Sequence, residues 1–147
     1  MKGVTSEHVW IGIEQDADGY PPVAEEAIDA EPVGAGIYRL VRSPAWASGI
    51  ARGDIVVARP DPGGRQWITS VHSTPGHWCS RVVPFRPLEA DAVMERLKDQ
   101  SCDLWVTTMG FVVVEVDASV DPQPILAALA AGREEHLWDF DLGVRPG

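Results

Sequence analysis

The segment GDIVVARPDPGGRQWITSVH, residues 53–72, sets the pattern for the first half of the chain. Residues 55–58 form an apolar run whose length and β-branched composition are typical of a buried strand. Residues 61–64 read Asp-Pro-Gly-Gly, a turn sequence suited to a β-hairpin, and residues 66–72 then read as the returning strand. The segment therefore predicts a tight antiparallel hairpin.

Further short strands are predicted on both sides of this hairpin. Alternating or apolar runs occur at 8–14, 36–42 and 78–85, with Gly-, Pro- and Asp-rich turns between them. Residues 23–31 are compatible with either a strand or a short helix. Short strands joined by tight turns predict a strongly bent antiparallel β-sheet or a small barrel over residues 8–87.

The spacing of the apolar residues changes after residue 87. The predicted elements are a helix over 88–100, a hairpin of strands over 103–108 and 111–116, a helix from Asp121-Pro122 to Gly132, and a strand over 137–142. Preceded by strand 78–85, this is the order of a ferredoxin-like (split β-α-β) unit over residues 78–142. We predict an α+β fold and a single domain, 1–147, whose two halves share strand 78–85.

Composition limits the classes of partner. The chain has 147 residues and a net charge of −10, and such a surface repels nucleic-acid phosphates and anionic lipid. There is no apolar stretch of about 18 residues that could span a membrane, and the N-terminus lacks an apolar signal core. The two cysteines, Cys79 and Cys102, are expected to be thiols. We therefore expect a cytoplasmic protein without a cofactor, and without nucleic-acid or membrane partners.

The charge is unevenly distributed along the chain. Residues 36–87 carry seven arginines against two aspartates, whereas the segments on either side carry an excess of acids. In one interpretation the arginines pair with these acids across the folded surface. In the other, Arg39, Arg42 and Arg81 bind an anionic ligand, because a guanidinium group suits carboxylates and phosphates.

His77, Cys79 and Arg81 occupy alternate positions, so on a strand their side chains lie on one face. A base or a positive charge beside a thiol lowers its pKa and creates a nucleophile, which makes His77 and Cys79 candidate catalytic residues. A metal site with His72 is a second interpretation, but it needs further ligands from distant segments, and we expect no metal. A buried structural cysteine is the third.

Two residues near the central hairpin have a candidate role in binding. Trp46 follows Ser43-Pro44 in a loop, where its ring could line a groove. Asp54 follows Gly53, where its carboxylate is also suited to capping the turn.

Several segments match a known family in order and spacing. They are Gly19-Tyr-Pro-Pro22 with Glu25 or Glu26 after it, residues 36–40, Ser43-Pro44 with Gly49, residues 53–56, and Gly76-His77 followed by Arg81-Val82. In these the chain resembles the bacterial domain-of-unknown-function family 4265. The resemblance implies a small intracellular bacterial protein and supplies no established activity. Because Trp78-Cys79 departs from the family's more frequent Ser-Thr, a shared site would involve His77, Arg81, Asp54 and Tyr38 rather than Cys79.

Three functions are compatible with these features. The first is a binding or regulatory protein for a small anionic ligand or an acidic peptide, with a small molecule or a protein as partner. The second is a cofactor-free enzyme that uses His77 or Cys79. The third is an acidic protein that neutralises a partner by covering a basic surface. The sequence leaves open both enzymatic activity and oligomeric state.

Overall fold

A computed structural model describes residues 7–147. The elements, in chain order, are β1 (Glu7–Gly12), β2 (Glu25–Gly34), β3 (Ile37–Leu40), β4 (Ile55–Pro60), β5 (Gln66–Ser73), β6 (Trp78–Pro84), α1 (Ala90–Leu97), β7 (Asp103–Val106), β8 (Val112–Val116), α2 (Gln123–Glu134) and β9 (Trp138–Val144). The fold is α+β, and the chain divides into two compact units between Pro75 and Gly76. None of the helices in the described part is long and apolar enough to cross a membrane.

The first unit is a closed barrel of strands β1 to β5. Each strand pairs antiparallel with the next, and β1 then closes onto β5 in parallel. The parallel closure follows from the odd number of strands, because the first and fifth strands of a meander run in the same direction. Residues 23–31, which the sequence left ambiguous, belong mainly to β2, whose two edges are both paired.

Side chains reinforce the seam where the barrel closes. The registered pair at this seam is Trp10 with Trp67, and their ring centroids lie 6.2 Å apart. The guanidinium of Arg65 lies 4.0 Å from the centroid of the Trp10 ring and donates to Glu25 at 2.9 Å. Trp67 Nε1 donates to Asp61 at 2.8 Å, which lowers the pKa of that carboxyl. A seam with little backbone pairing is thus held by aromatic, cation–π and ionic contacts.

The barrel interior is filled by alternate residues of its strands. They are Val9, Ile28, Ala30, Tyr38, Leu40, Val56 and Ala58. The loop between β3 and β4 adds Ala47 and Ile50 to the same core. This loop is therefore packed against the barrel interior rather than extended into solvent.

The second unit is a four-stranded antiparallel sheet in the order β7-β8-β6-β9. The sequence assigned strand 78–85 to both halves, and this is corrected by the pairing of β6, which lies between β8 and β9 in the second sheet. The physical reason is that the barrel closes β1 onto β5 and so leaves no edge strand to receive β6. The single domain expected from the sequence stays a prediction.

Both helices pack on one face of this sheet. Helix α1 buries Val93 and Leu97, and α2 buries Ile125 and Leu129, at the i, i+4 spacing that places side chains on one side of a helix. The sheet residues in the same core are Trp78, Val82, Val112, Val114, Val116 and Trp138. Cys79 and Arg81 alternate with these positions and belong to the opposite face.

The end of α2 differs from the prediction. Gly132 was expected to stop the helix, yet α2 continues to Glu134 and Gly132 is buried inside it. The stop is made by His136, which has a positive φ of 59°. His136 N–H donates to Arg133 O at 3.0 Å and Leu137 N–H to Gly132 O at 2.9 Å, the pair of bonds that defines a Schellman motif.

Candidate functional site

Cys79 lies fully buried in the middle of β6. Its exposed fraction is 0 %, and it faces Glu115 on β8 and Val144 on β9. A Cβ added to Gly143 would come within 2.8 Å of Cys79 Sγ, so the thiol is closely packed against that backbone. A nucleophilic cysteine must be reached by its substrate, and this position is typical of a structural cysteine.

Arg81 is buried and ion-paired. Its side chain is 7 % exposed, and its Nε and Nη2 donate to the two carboxylate oxygens of Asp141 at 2.7 and 3.2 Å. This two-point contact uses the donor geometry that would bind an external carboxylate. The guanidinium also packs against Gly143, where an added Cβ would lie 3.1 Å from Arg81 Cζ. Asp141 therefore occupies the guanidinium donors of Arg81 that the anion-binding interpretation assigned to a ligand.

His77 lies just before β6 and has local partners. Its Nδ1 accepts the backbone N–H of Ala118 at 2.9 Å and lies 3.7 Å from a carboxylate oxygen of Asp117. Because Nδ1 acts as an acceptor, the neutral ring carries its proton on Nε2. These contacts join the start of β6 to the segment after β8.

The structure does not assemble a metal site from the histidines and cysteines singled out above. Among residues 7–147, no three His, Cys, Asp or Glu side chains are grouped so that they could hold a metal ion. His72 is exposed on β5 of the first unit, whereas Cys79 is buried in the second sheet.

The two thiols are expected to react slowly in the folded protein. Burial, with a smaller contribution from the Asp103 carboxylate, raises the pKa of Cys102 from 9.0 to about 11. At pH 8 this lowers its thiolate fraction about 100-fold, while Cys79 is protected by burial. Titration with Ellman's reagent should release little product from native protein and two equivalents in denaturant. Fast labelling of native Cys79, compared with the Cys102→Ala variant, would contradict this.

The other two predicted anion-binding arginines lie in the first unit. Arg39 on β3 is half exposed, and its Nη1 donates to Glu31 on β2 at 2.6 Å. Arg42 follows β3 and is exposed. Together with the Arg65–Glu25 and Arg81–Asp141 pairs, the Arg39 contact matches the interpretation in which arginines of the central segment pair with acids of the flanking segments.

Tyr38 and Asp54 are both buried in the first unit. Tyr38 belongs to the barrel core, and burial, with the nearby Glu7 carboxylate, raises its pKa above the usual value of 10.0. Asp54 accepts the N–H of Ala51 at 3.0 Å and the hydroxyl of Thr74 at 2.5 Å. Asp54 thus caps the turn before β4, which is the structural alternative that the sequence offered.

The loop between β3 and β4 binds a carboxylate that the sequence analysis did not select. Glu26 accepts three successive backbone N–H groups, those of Ala45 at 2.6 Å, Trp46 at 3.0 Å and Ala47 at 2.9 Å. Successive N–H groups that converge on an anion form a nest. Trp46 also packs edge to face on Tyr20, with ring centroids 6.1 Å apart. Several segments that carry the family resemblance therefore meet at this loop.

A groove in the second unit was not predicted. It has a volume of about 740 Å³ and is lined by residues 83–84, 86–91 and 109–111. Phe111 is a buried lining residue, whereas Met109 and Val83 are 61 % and 47 % exposed. Arg86 is exposed on the groove and forms no ion pair with any residue in the described range 7–147. In the sequence, Arg86 is one of seven arginines in residues 36–87, and nothing distinguishes it from the other six.

Comparison with known proteins places the chain in a family without defining its activity. No curated protein matches it. A crystal structure of a hypothetical protein from Neisseria gonorrhoeae is similar over 95 % of both chains, with a TM-score of 0.74 and 13 % sequence identity, and so shares the fold. The model of the family described as "Domain of unknown function (DUF4265)" matches residues 26–140. This agrees with the resemblance noted in the sequence, and the chain belongs to the DUF4265 family.

Proposed function

We propose that this protein is a binding or regulatory protein and that its ligand occupies the groove of the second unit. The observation that carries the proposal is the groove itself, about 740 Å³ in volume with the buried aromatic residue Phe111 in its lining. Binding sites in proteins are concave and contain polar groups that orient the ligand, and their usual volumes include this one.

Arg86 supports a ligand that carries a negative charge. Arg39 and Arg81 use guanidinium donors on Glu31 and Asp141, whereas Arg86 has no such partner among the described residues. Binding an anion at Arg86 therefore breaks no ion pair within the described part of the chain. We therefore propose Arg86 as the anion contact in place of Arg39, Arg42 and Arg81.

Catalysis by His77 or Cys79 has less support. Cys79 has no exposed surface, and His77 Nδ1 is engaged by the N–H of Ala118. An enzyme that used Cys79 would have to open the middle of a sheet to admit its substrate.

We also propose that the second unit is a ferredoxin-like (split β-α-β) unit. The support is its element order, strand–helix–strand–strand–helix–strand, with the strand order β7-β8-β6-β9 and both helices packed in one core. A cytoplasmic location is proposed as well, since neither Cys79 nor Cys102 is in a disulfide.

Native mass spectrometry of protein purified from its own host tests the binding function. We expect a bound species that dissociates on denaturation, and that is reduced at least about tenfold in Arg86→Glu and in Met109→Asp. Arg59→Glu is the matched control, because Arg59 is an exposed barrel arginine that likewise has no ion pair within residues 7–147. A wild-type protein with no bound species, or one whose bound species survives both groove substitutions, would contradict the proposal.

A further inference from the structure

The shape of the groove favours a polypeptide segment over a small molecule. Most of its lining residues are exposed, and Phe111 is the buried one. A binding site usually encloses most of the surface of a small ligand, and an open groove leaves much of that surface exposed. An open groove instead suits a segment of chain that lays alternate or periodic side chains into it.

Apolar groups on and beside the groove supply contacts for such a segment. Met109 and Val83 line it and are 61 % and 47 % exposed, and Phe85, between two lining segments, is 45 % exposed. Exposed large apolar side chains grouped in one region mark interaction surfaces. Methionine is flexible and polarisable, so Met109 can adapt to the shape of a bound side chain.

The charges on the groove have both signs. Arg86 lies in the segment before α1, Glu89 is the N-cap residue of α1, and Asp91 is in its first turn. The side chain of Glu89 makes no capping hydrogen bond, and none of the three charges forms an ion pair within residues 7–147. A uniformly acidic peptide would be repelled by Glu89 and Asp91, and a uniformly basic one by Arg86. Charge complementarity therefore requires an occupant that carries both signs.

We infer that the groove binds a segment of a protein partner in which an apolar anchor lies between an acidic and a basic residue. The acidic residue contacts Arg86, the basic residue contacts Glu89 and Asp91, and the anchor packs on Phe111 and Met109. This inference rests on the proposed binding function and specifies its partner. The excess of arginines in residues 36–87 suggested an acidic peptide, and the groove instead favours a peptide that carries both charges.

Selection from a random peptide library displayed on phage tests the inference, with the full chain as bait. Peptides enriched on wild type are expected to contain an apolar residue flanked by one acid and one base. Their binding, measured by fluorescence anisotropy, should weaken at least about tenfold in Arg86→Glu and in Met109→Asp, and remain within about twofold in Arg59→Glu. The double variant Glu89→Lys, Asp91→Lys should instead select peptides in which an acid replaces the base.

The outcomes separate this inference from the proposed function. A selection that yields no groove-dependent peptide, or yields uniformly acidic ones, overturns the mixed-charge segment. The binding function still stands in that case if the host-purified protein carries a species that Arg86→Glu releases. Loss of both results overturns the groove as a binding site. Circular dichroism of each variant identifies any that fail to fold, and Met109→Ser then replaces Met109→Asp.

Discussion

Replacement of Gly132 by alanine is expected to destabilise the protein by about 3 kcal/mol or more. A Cβ at this position would overlap ring atoms Cε2 and Cζ2 of Trp138, which is fully buried. The Trp138 ring has little freedom to move, because its Nε1 donates to Leu129 O at 3.0 Å. Alanine in a helix interior usually stabilises the protein by about 1 kcal/mol relative to glycine. The predicted loss of stability is therefore opposite in sign to the ordinary effect of this substitution.

Urea unfolding followed by circular dichroism measures this effect. Gly12→Ala is the control, since a Cβ there meets nothing within 4 Å, and its free energy of unfolding should stay close to that of wild type. In the double variant Gly132→Ala, Trp138→Phe the smaller ring relieves the overlap. Its loss should be smaller than the sum of the two single losses by about 1 kcal/mol or more. A Gly132→Ala protein as stable as wild type would contradict the expected overlap between the added Cβ and the Trp138 ring.

Replacement of Glu26 by alanine is expected to cost about 3 kcal/mol and to loosen the loop between β3 and β4. The carboxylate of Glu26 accepts the N–H groups of Ala45, Trp46 and Ala47, and hydrogen bonds to a charged group contribute about 1.5–3 kcal/mol each without adding fully. The same loop supplies Ala47 and Ile50 to the barrel core, so its release also exposes apolar surface.

Glu25→Ala is the matched control for this effect. Glu25 is adjacent in sequence and exposed, and its ion pair with Arg65 is of the surface type that contributes about 0–1 kcal/mol. Hydrogen exchange should show faster exchange at residues 45–47 in Glu26→Ala, and urea unfolding should show the larger loss for that variant. Equal losses for Glu25→Ala and Glu26→Ala would contradict a special role for the Glu26 carboxylate.

Local patterns predicted most elements because their signals lie within a few residues. The hairpin of residues 53–72 became β4 and β5, and the helix over 88–100 became α1. The turn residues and the spacing of apolar side chains carry these predictions without reference to the rest of the chain. Residues 23–31 were ambiguous because two strands, β1 and β3, pair with β2, and pairing is not a local property.

The contacts at the candidate sites were beyond such patterns. Glu26 meets the N–H of Trp46 across 20 positions of sequence, and Arg81 meets Asp141 across 60. The sequence around Glu26 or Arg81 contains no pattern that predicts the distant partner. For the same reason the sequence offered two interpretations of its arginines, and the long-range pairs of Arg39, Arg65 and Arg81 matched the one based on internal ion pairs.

Composition, turn chemistry and spacing predicted an α+β chain and the order of most of its elements, and the resemblance of several segments indicated its family. Tertiary structure alone decided that the first sheet closes into a barrel, that Gly132 makes room for Trp138, and that Arg86 lies on a groove and forms no ion pair within residues 7–147. The physical reason is the distance along the sequence over which each effect acts. Backbone preferences act over a few residues, whereas burial and ion pairing depend on which distant segments the fold brings together.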